Sequence, residues 1–296
     1  MPGGELMDGS PLYPDLRGGY KPSFRLGPRF RQEVARYIES RHLEDGGYFF
    51  ARVPPSSGLD TCFAVKSLSI LGAKPGRPET TADFFLNGVK EDRLGGITGI
   101  FLAAEVLNEL GRMTDEFRDY ARPRIMSLQN EAGGFGAYRD IDLEVPSELQ
   151  DTCRAIRALQ IVGADFDTER VARFTSSFLR PDGGYGARGY STLASTFCAT
   201  EIHKLLGEDT GKLTTARGYL RKREENWQVQ FIEDLYWLVL GLANLGEKTN
   251  VPDKVARFVM MCQRSNGGFS RATIMGIATL EYTYYALSIL RQLAVL

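Results

Sequence analysis

The sequence predicts an all-α protein, an α/α barrel (toroid) of six helical hairpins in a single domain. Three observations carry that prediction. Five helix-like segments end in a pair of adjacent glycines (Gly46-Gly47, Gly95-Gly96, Gly133-Gly134, Gly183-Gly184 and Gly267-Gly268), and an aromatic follows four of these pairs, at Tyr48, Phe135, Tyr185 and Phe269. The first four pairs recur every ~40 to 50 residues and the last gap is about twice that, a period that marks a helical repeat architecture. Six segments then align on an Ala-x-x-x-Leu-like core, and an amphipathic segment precedes each one. Alternating helices in six pairs close into a double-layered ring, with one helix of each pair inside.

Taken in order, the amphipathic segments are 29–41, 79–90, 114–128, 168–179, 210–223 and 252–263, each with apolar residues at helical spacing. Three of them share nearly the same words: Val34-Ala35-Arg36-Tyr37, Val171-Ala172-Arg173-Phe174 and Val255-Ala256-Arg257-Phe258. The inner segments start at Asp60, Gly99, Asp151, Ser195, Asp234 and Tyr282, and five of them run to a glycine, at Gly72, Gly111, Gly163, Gly207 and Gly246. The fifth unit lacks its glycine pair, near Trp227. Residues 1–27 are expected to be a flexible N-terminal segment, and residues 28–296 the barrel domain.

The composition suits one large globular unit: 296 residues, 43% hydrophobic and 25% charged. A net charge of −1 makes no case for nucleic acid or an anionic membrane surface as partner. The four cysteines (Cys62, Cys153, Cys198 and Cys262) have no paired spacing, and free thiols in a reducing compartment are the expectation. No apolar run at the start reads as a signal peptide, and stretches such as 235–245 are too short to span a bilayer. A cytoplasmic location is the expectation that follows.

Ser127-Leu128-Gln129-Asn130-Glu131-Ala132-Gly133-Gly134-Phe135-Gly136 resembles the repeat signature of protein prenyltransferase β subunits, and Met261-Cys262-Gln263-Arg264-Ser265-Asn266-Gly267-Gly268-Phe269 is similar to it. Class II terpene cyclases, the related branch, carry tryptophan where this chain has Phe135 and Phe269. The resemblance spans residues 28 to 294 or so and implies the toroid fold. It also implies a prenyl diphosphate substrate, a partner subunit and a zinc bound through Asp-x-Cys and a histidine. Aligned on the inner segments, the implied zinc positions are Glu148 and Gln150 in the third unit, or Phe231, Glu233 and Tyr282 in the last two. None of these sets makes a zinc site, so the metal stays open.

A shifted zinc set is conceivable at Asp151, Cys153 and Cys198, one helical turn further along, and thiolate–carboxylate–thiolate ligation would leave an open fourth position. The competing reading is that Asp60, Asp151, Ser195 and Asp234, which share one aligned position, are N-cap residues of the inner helices. Asp60 and Asp151 are also the candidates for a catalytic carboxylic acid. His203 replaces the core leucine of its repeat and reads as a buried, hydrogen-bonded histidine rather than a catalyst.

Aromatics recur at the third and fourth positions of the inner segments: Phe63, Phe101, Phe197, Tyr236, Trp237, Tyr284 and Tyr285. An aromatic funnel at the helix starts suits a prenyl tail and a developing carbocation. An arginine follows each loop made of a glycine pair and an aromatic, at Arg52, Arg139, Arg188 and Arg271. Gly183-Gly184-Tyr185-Gly186-Ala187-Arg188 resembles the family's Gly-Gly-Phe-Gln-Gly-Arg, which implies that Arg188 holds the diphosphate; the family's lysine three residues on is Ser191 here. Converging guanidiniums are the expected diphosphate cradle, and solvated loop arginines are the alternative.

Two tempting motifs fail. The run 184–189 fits G-x-G-x-x-G but follows a helix rather than a strand. Asp140-Ile141-Asp142-Leu143 stops short of the cyclase acid motif. Three readings therefore stand at this point: a prenyltransferase-like protein, a cyclase-like enzyme with one carboxylic acid, and a non-catalytic barrel that binds a lipid or a protein.

Overall fold

The computed structural model describes residues 25–136, 148–187, 189–274 and 276–296. Twelve α-helices and no strand form among them: α1 (Pro28–Glu39), α2 (Gly58–Ile70), α3 (Pro78–Lys90), α4 (Gly96–Glu109), α5 (Asp115–Met126), α6 (Glu148–Ile161), α7 (Thr168–Ser176), α8 (Leu193–Leu205), α9 (Thr214–Glu225), α10 (Ile232–Asn244), α11 (Pro252–Met261) and α12 (Leu280–Gln292). The even-numbered helices touch in the order α2, α4, α6, α8, α10, α12, and α12 returns to α2. That contact closes an inner ring. The odd-numbered helices lie outside it, each against the inner helix that follows it, and α5 and α9 also against the one before.

Burial follows the patterns of the two layers. The outer α1 buries one stripe, Phe30, Val34, Tyr37 and Ile38, and leaves Arg29 and Arg36 to solvent. The inner α4 is packed on more sides, burying Ile97, Ile100 and all of 102–107. Each large apolar side chain taken fully out of water contributes about 1.5–3 kcal/mol. The resulting core is continuous around the ring. Each of the first five inner helices stops at a glycine just past its C-cap, with φ between +65° and +75° at Gly72, Gly111, Gly163, Gly207 and Gly246, the left-handed conformation in which a side chain is costly. In α12 the equivalent residue is Ala294, at φ +57°.

Four of the five glycine pairs do one job. At Gly267, φ is +91° and a Cβ would lie 2.7 Å from the Glu33 carbonyl oxygen of α1; at Gly268 a Cβ would lie 2.5 Å from the Tyr37 ring. The last loop is thus pressed onto the first outer helix, and the loops at Gly46, Gly133 and Gly183 press in the same way on Thr80, Arg170 and Thr215 of the next outer helix. The fifth pair corrects the sequence reading. Gly95 is the N-cap of α4 and Gly96 its first residue, so this pair opens an inner helix instead of closing a loop. The missing aromatic after it (Ile97) was the available signal.

The aromatic after each loop pair is fixed by a threonine. The backbone N–H groups of Tyr48, Phe135, Tyr185 and Phe269 donate to the Oγ1 atoms of Thr61, Thr152, Thr196 and Thr283 at 2.9–3.1 Å. Thr61, Thr196 and Thr283 in turn donate to the carbonyls of Ser57, Thr192 and Thr279 at 2.6–2.8 Å. These last three residues are the true N-caps, and their side chains accept from the N–H groups of Asp60, Ser195 and Tyr282. The expected N-cap position is therefore wrong by three residues. Asp60 and Ser195 stand in the first turn, and Asp234 accepts from the N–H groups of Gln230 and Phe231 at 3.1 and 3.0 Å.

Candidate functional site

Because outer and inner helices alternate in direction, the first turns of the inner helices meet at one end of the barrel. A chamber of about 180 Å³ opens there. All seven aromatics singled out from the sequence line it: Phe63, Phe101, Phe197, Tyr236, Trp237, Tyr284 and Tyr285. They pack on one another, with Tyr236 4.5 Å from Tyr285, Phe63 5.3 Å from Tyr284 and Phe197 5.5 Å from Tyr236 between ring centroids. Such offset and edge contacts hold a stiff apolar wall.

The same chamber is lined by three cations, Lys66, Arg154 and Arg157, and by no aspartate or glutamate among the described residues. Lys66 and Arg157 form its floor. Lys66 Nζ lies 2.6 Å from Glu105 Oε2, Arg157 meets Glu105 Oε1 at 2.6 Å and Glu201 Oε1 at 3.4 Å, and both acids point away from the aromatic side. Lys66, Glu105, Arg157 and Glu201 occupy one aligned position on α2, α4, α6 and α8, so charge alternates along these four helices, and the position holds Leu240 in α10 and Ser288 in α12. Burial works against the charge on Glu105, but Arg157 and Lys66 outweigh it and hold its carboxyl below the usual range. Burial likewise opposes the charge on Lys66, yet its neighbours, Tyr284 and Glu105 among them, keep its pKa above the ordinary value. Beneath this belt, at the C-terminal ends of the inner helices, lies a second, polar cavity of about 400 Å³ that includes Glu109, Lys204, Asn244 and Arg291.

Arg154 is the cation least committed elsewhere. Its Nη1 donates to Thr98 Oγ1 at 3.1 Å and to Asp151 Oδ1 at 3.3 Å. Sequence reasoning missed all three chamber cations. The signal was present, since Lys66 and Arg157 each stand four residues, one helical turn, after a chamber cysteine, Cys62 and Cys153.

The remaining sequence candidates fall as follows. Asp60 accepts from the Phe50 N–H at 3.1 Å, and Asp151 faces Arg154; neither carboxylate lines the chamber. Burial raises the Asp60 carboxyl, with the charge of Glu281 adding to it. Of the shifted metal set, Cys153 and Cys198 meet at the chamber wall while Asp151 is drawn to Arg154, and among the described residues no three His, Cys, Asp or Glu side chains come together to hold a metal. Residues two apart on a helix point about 200° apart, so Cys153 faces the chamber while Asp151 does not. Of the zinc positions that the resemblance implies, Glu233 is held by Arg271 at 2.6 Å, and Gln150, Phe231 and Tyr282 cannot replace a thiolate and a histidine; the Glu148 side chain lies outside the described residues. The residues present do not fit zinc. All four cysteines are free and buried. Cys62 is pushed up to about 12 by burial, and Cys153 is raised by its contact with the Cys198 thiol and by burial, so the wall presents neutral thiols.

Arg52 and Arg271 lie in loops at the aromatic end. Arg52 donates to Ser40 Oγ at 3.1 Å, Arg271 stacks 3.9 Å above Phe231, and neither lines the chamber. Arg139, Arg188 and the segment with Asp140 and Asp142 lie outside the described residues. His203 is a core histidine, with Nδ1 2.7 Å from Glu208 Oε2.

The sequence matches the prenyltransferase alpha-alpha toroid domain over residues 89–229 and 220–295. This chain belongs to that family. Two solved structures share the fold. Candida albicans protein geranylgeranyltransferase-I, complexed with GGPP, has a TM-score of 0.69 at 15% identity, covering 88% of this chain and 90% of that one. The type II terpene cyclase MstE from Scytonema, in complex with geranylgeranyl dihydroxybenzoate, has a TM-score of 0.58 at 12% identity, covering 90% and 97%. No curated protein matches the sequence. Both structural relatives are the toroid the repeats predict. No helix among the described residues is long and apolar enough to cross a membrane.

Proposed function

We propose that this family member binds a prenyl diphosphate inside the barrel and transfers its prenyl group. One observation carries the reading: a single chamber combines seven aromatic side chains with Lys66, Arg154 and Arg157 and excludes every described carboxylate. An apolar wall takes the tail by burial, and guanidinium forks match diphosphate oxygens. The volume of about 180 Å³ is below the ~300–1,000 Å³ of most small-molecule clefts, which favours a short tail. The likeness to a structure complexed with GGPP supports the ligand class. Arg188, which the resemblance implies holds the diphosphate, is the fourth cation proposed to meet it.

Transfer breaks the bond between the allylic carbon and oxygen, and the electron pair leaves with diphosphate. Cations fixed in a water-poor chamber stabilise the charge that develops on the leaving group. The ring faces of Tyr236, Tyr284 and Tyr285 stabilise the allylic cation until an acceptor nucleophile captures it and loses its proton.

Calorimetric titration with geranyl diphosphate and with geraniol tests the assignment. Arg154→Gln should weaken the diphosphate by about 1.5–3 kcal/mol, as expected for a charge-assisted hydrogen bond, and leave the alcohol unchanged. Equal weakening of both ligands, or no binding of either to wild type, overturns the reading.

A second reading is favoured by one contact. Tyr285, which lines the chamber, donates its hydroxyl to Glu281 at 2.9 Å, and burial pushes the Glu281 carboxyl up, with the Glu233 charge adding to it. A carboxyl raised in this way and joined to the chamber wall through Tyr285 is the candidate acid to protonate an alkene. Isomerised product that retains its diphosphate would select this reading over transfer.

A further inference from the structure

The exposed large apolar side chains are not scattered over the surface. Among the described residues there are seven, and all seven lie at the aromatic end of the barrel. Val53 and Leu59 stand in the loop before α2 and in its first turn; Leu179 and Tyr190 lie between α7 and α8; Met261, Ile274 and Ile277 lie from the end of α11 to the start of α12. Ile274 is 88% exposed, Ile277 65% and Tyr190 62%. The loops at the opposite end (71–77, 110–114, 162–167, 206–213, 245–251 and 293–296) hold none of them. Single exposed apolar residues need no explanation, but their confinement to one end does.

We propose that this end rests on a lipid bilayer, with the loop tips inserted into its interface and the chamber mouth facing the lipid. Three observations favour a bilayer over a protein partner. The apolar residues belong to separate loops on different sides of the opening, so a flat, laterally continuous surface meets them together, whereas a peptide or single helix meets one group. Leu59 is 40% exposed and also lines the chamber, so the apolar rim runs without a break into the apolar wall. The described rim carries both signs of charge, Arg271 paired with Glu233 at 2.6 Å, Arg93 paired with Glu91, and Arg52 and Arg180 set among Glu44, Asp45 and Asp182, which favours apolar insertion over attraction to anionic lipid as the driving force. A ligand with an apolar tail passes from bilayer to chamber without exposing that tail to water. The bilayer contact itself does not depend on what the chamber binds.

Flotation of the purified full chain with phosphatidylcholine vesicles, without added ligand, tests the proposal. Wild type is expected to float with the vesicles at ~0.1 M and at ~1 M salt alike, because the insertion is apolar and screening removes only charge effects. The double variant Ile274→Ser/Ile277→Ser, and separately Tyr190→Ser on another side of the rim, should each lower partitioning, the double variant by about tenfold or more. Helical circular dichroism of both variants guards against misfolding, and these solvent-exposed positions carry little of the fold. Three results would overturn the proposal: no vesicle binding by wild type, binding only to anionic vesicles and lost in high salt, or unchanged binding in both variants. Concentration-dependent self-association that these substitutions abolish, without flotation of wild type, would reassign the rim to contacts between copies. Failure of geranyl diphosphate to bind would leave the flotation result intact, so the two readings fail separately.

Discussion

The two ends of the barrel are built from the same inner helices, yet their chemistry is opposite. Near the helix starts the lining is aromatic, its outer rim apolar and its cations face an acid-free chamber. One or two turns further on the lining is Glu105, Glu109, Glu201, Lys204 and Asn244, and the rim carries no exposed large apolar residue. A repeat fold therefore separates two design problems. Ala, Leu and Gly at fixed positions in each unit set the ring, and depth along the inner helices sets what each level of the axis can bind. The charged belt of Lys66, Glu105, Arg157 and Glu201 divides the two levels.

Removing the centre of that belt should have the largest effect. Glu105→Ala leaves Lys66 and Arg157 buried with a lost partner and should destabilise the protein by about 3–5 kcal/mol in urea unfolding. Since Glu105 titrates below its ordinary range when folded, the stability it contributes is present above about pH 4.5 and is lost as pH falls through the folded value. Wild type should therefore lose stability on acidification in that window, and the variant should lose less. An unchanged midpoint in Glu105→Ala would mean that the belt does not separate the levels energetically.

Next in size is the aromatic end. Thr283→Val keeps shape but strips the acceptor from the buried Phe269 N–H, and should cost about 1–3 kcal/mol. Ser69→Ala at the polar end, where Ser69 bonds the exposed Glu109, should change stability by less than about 0.5 kcal/mol. Comparable losses would erase the contrast between a stapled end and a solvated one. Also at the polar end, Ala294→Gly should stabilise by about 1 kcal/mol, because only this inner-helix stop lacks the glycine suited to positive φ.

The smallest change concerns Glu281. Its carboxyl titrates above the ordinary value, so the folded protein holds this proton more tightly than the unfolded chain. Its ionisation subtracts stability as pH rises from about 4.5 through the folded value. Glu281→Gln should raise the melting temperature at pH 8 and change it less at pH 4. A larger gain at pH 4 than at pH 8 would refute the shift.

Much of this was legible in the residues. The all-α ring followed from spacing, and the aromatic wall followed from the third and fourth positions of each inner segment, because residue type repeated where geometry repeated. The belt was harder to see, since its members alternate in charge and no single residue type recurs at Lys66, Glu105, Arg157 and Glu201. Asp60, Ser195 and Asp234 misled for a different reason. Their side chains suit an N-cap, yet Ser57, Thr192 and Phe231 hold those positions, and the threonine beside each loop explains the register only once its bond to the loop is known. Gly95-Gly96 shows that the same word can open a helix in one unit and close a loop in the others.

The seam between Gly267-Gly268 and α1, together with the Leu26 N–H donating to the Val295 carbonyl at 2.7 Å, has a consequence for how the molecule comes apart. An open stack of helical repeats frays from its terminal units, which have a neighbour on one side only. Here the first and last units are neighbours, so every unit is interior. Opening any one of them breaks two interfaces at once, and no low-cost partial unfolding is available at the ends. Backbone amides in α1 and α12 should exchange hydrogen about as slowly as those midway along the chain, and cutting the seam with Gly267→Ala should convert a uniform protection pattern into one graded from the two ends.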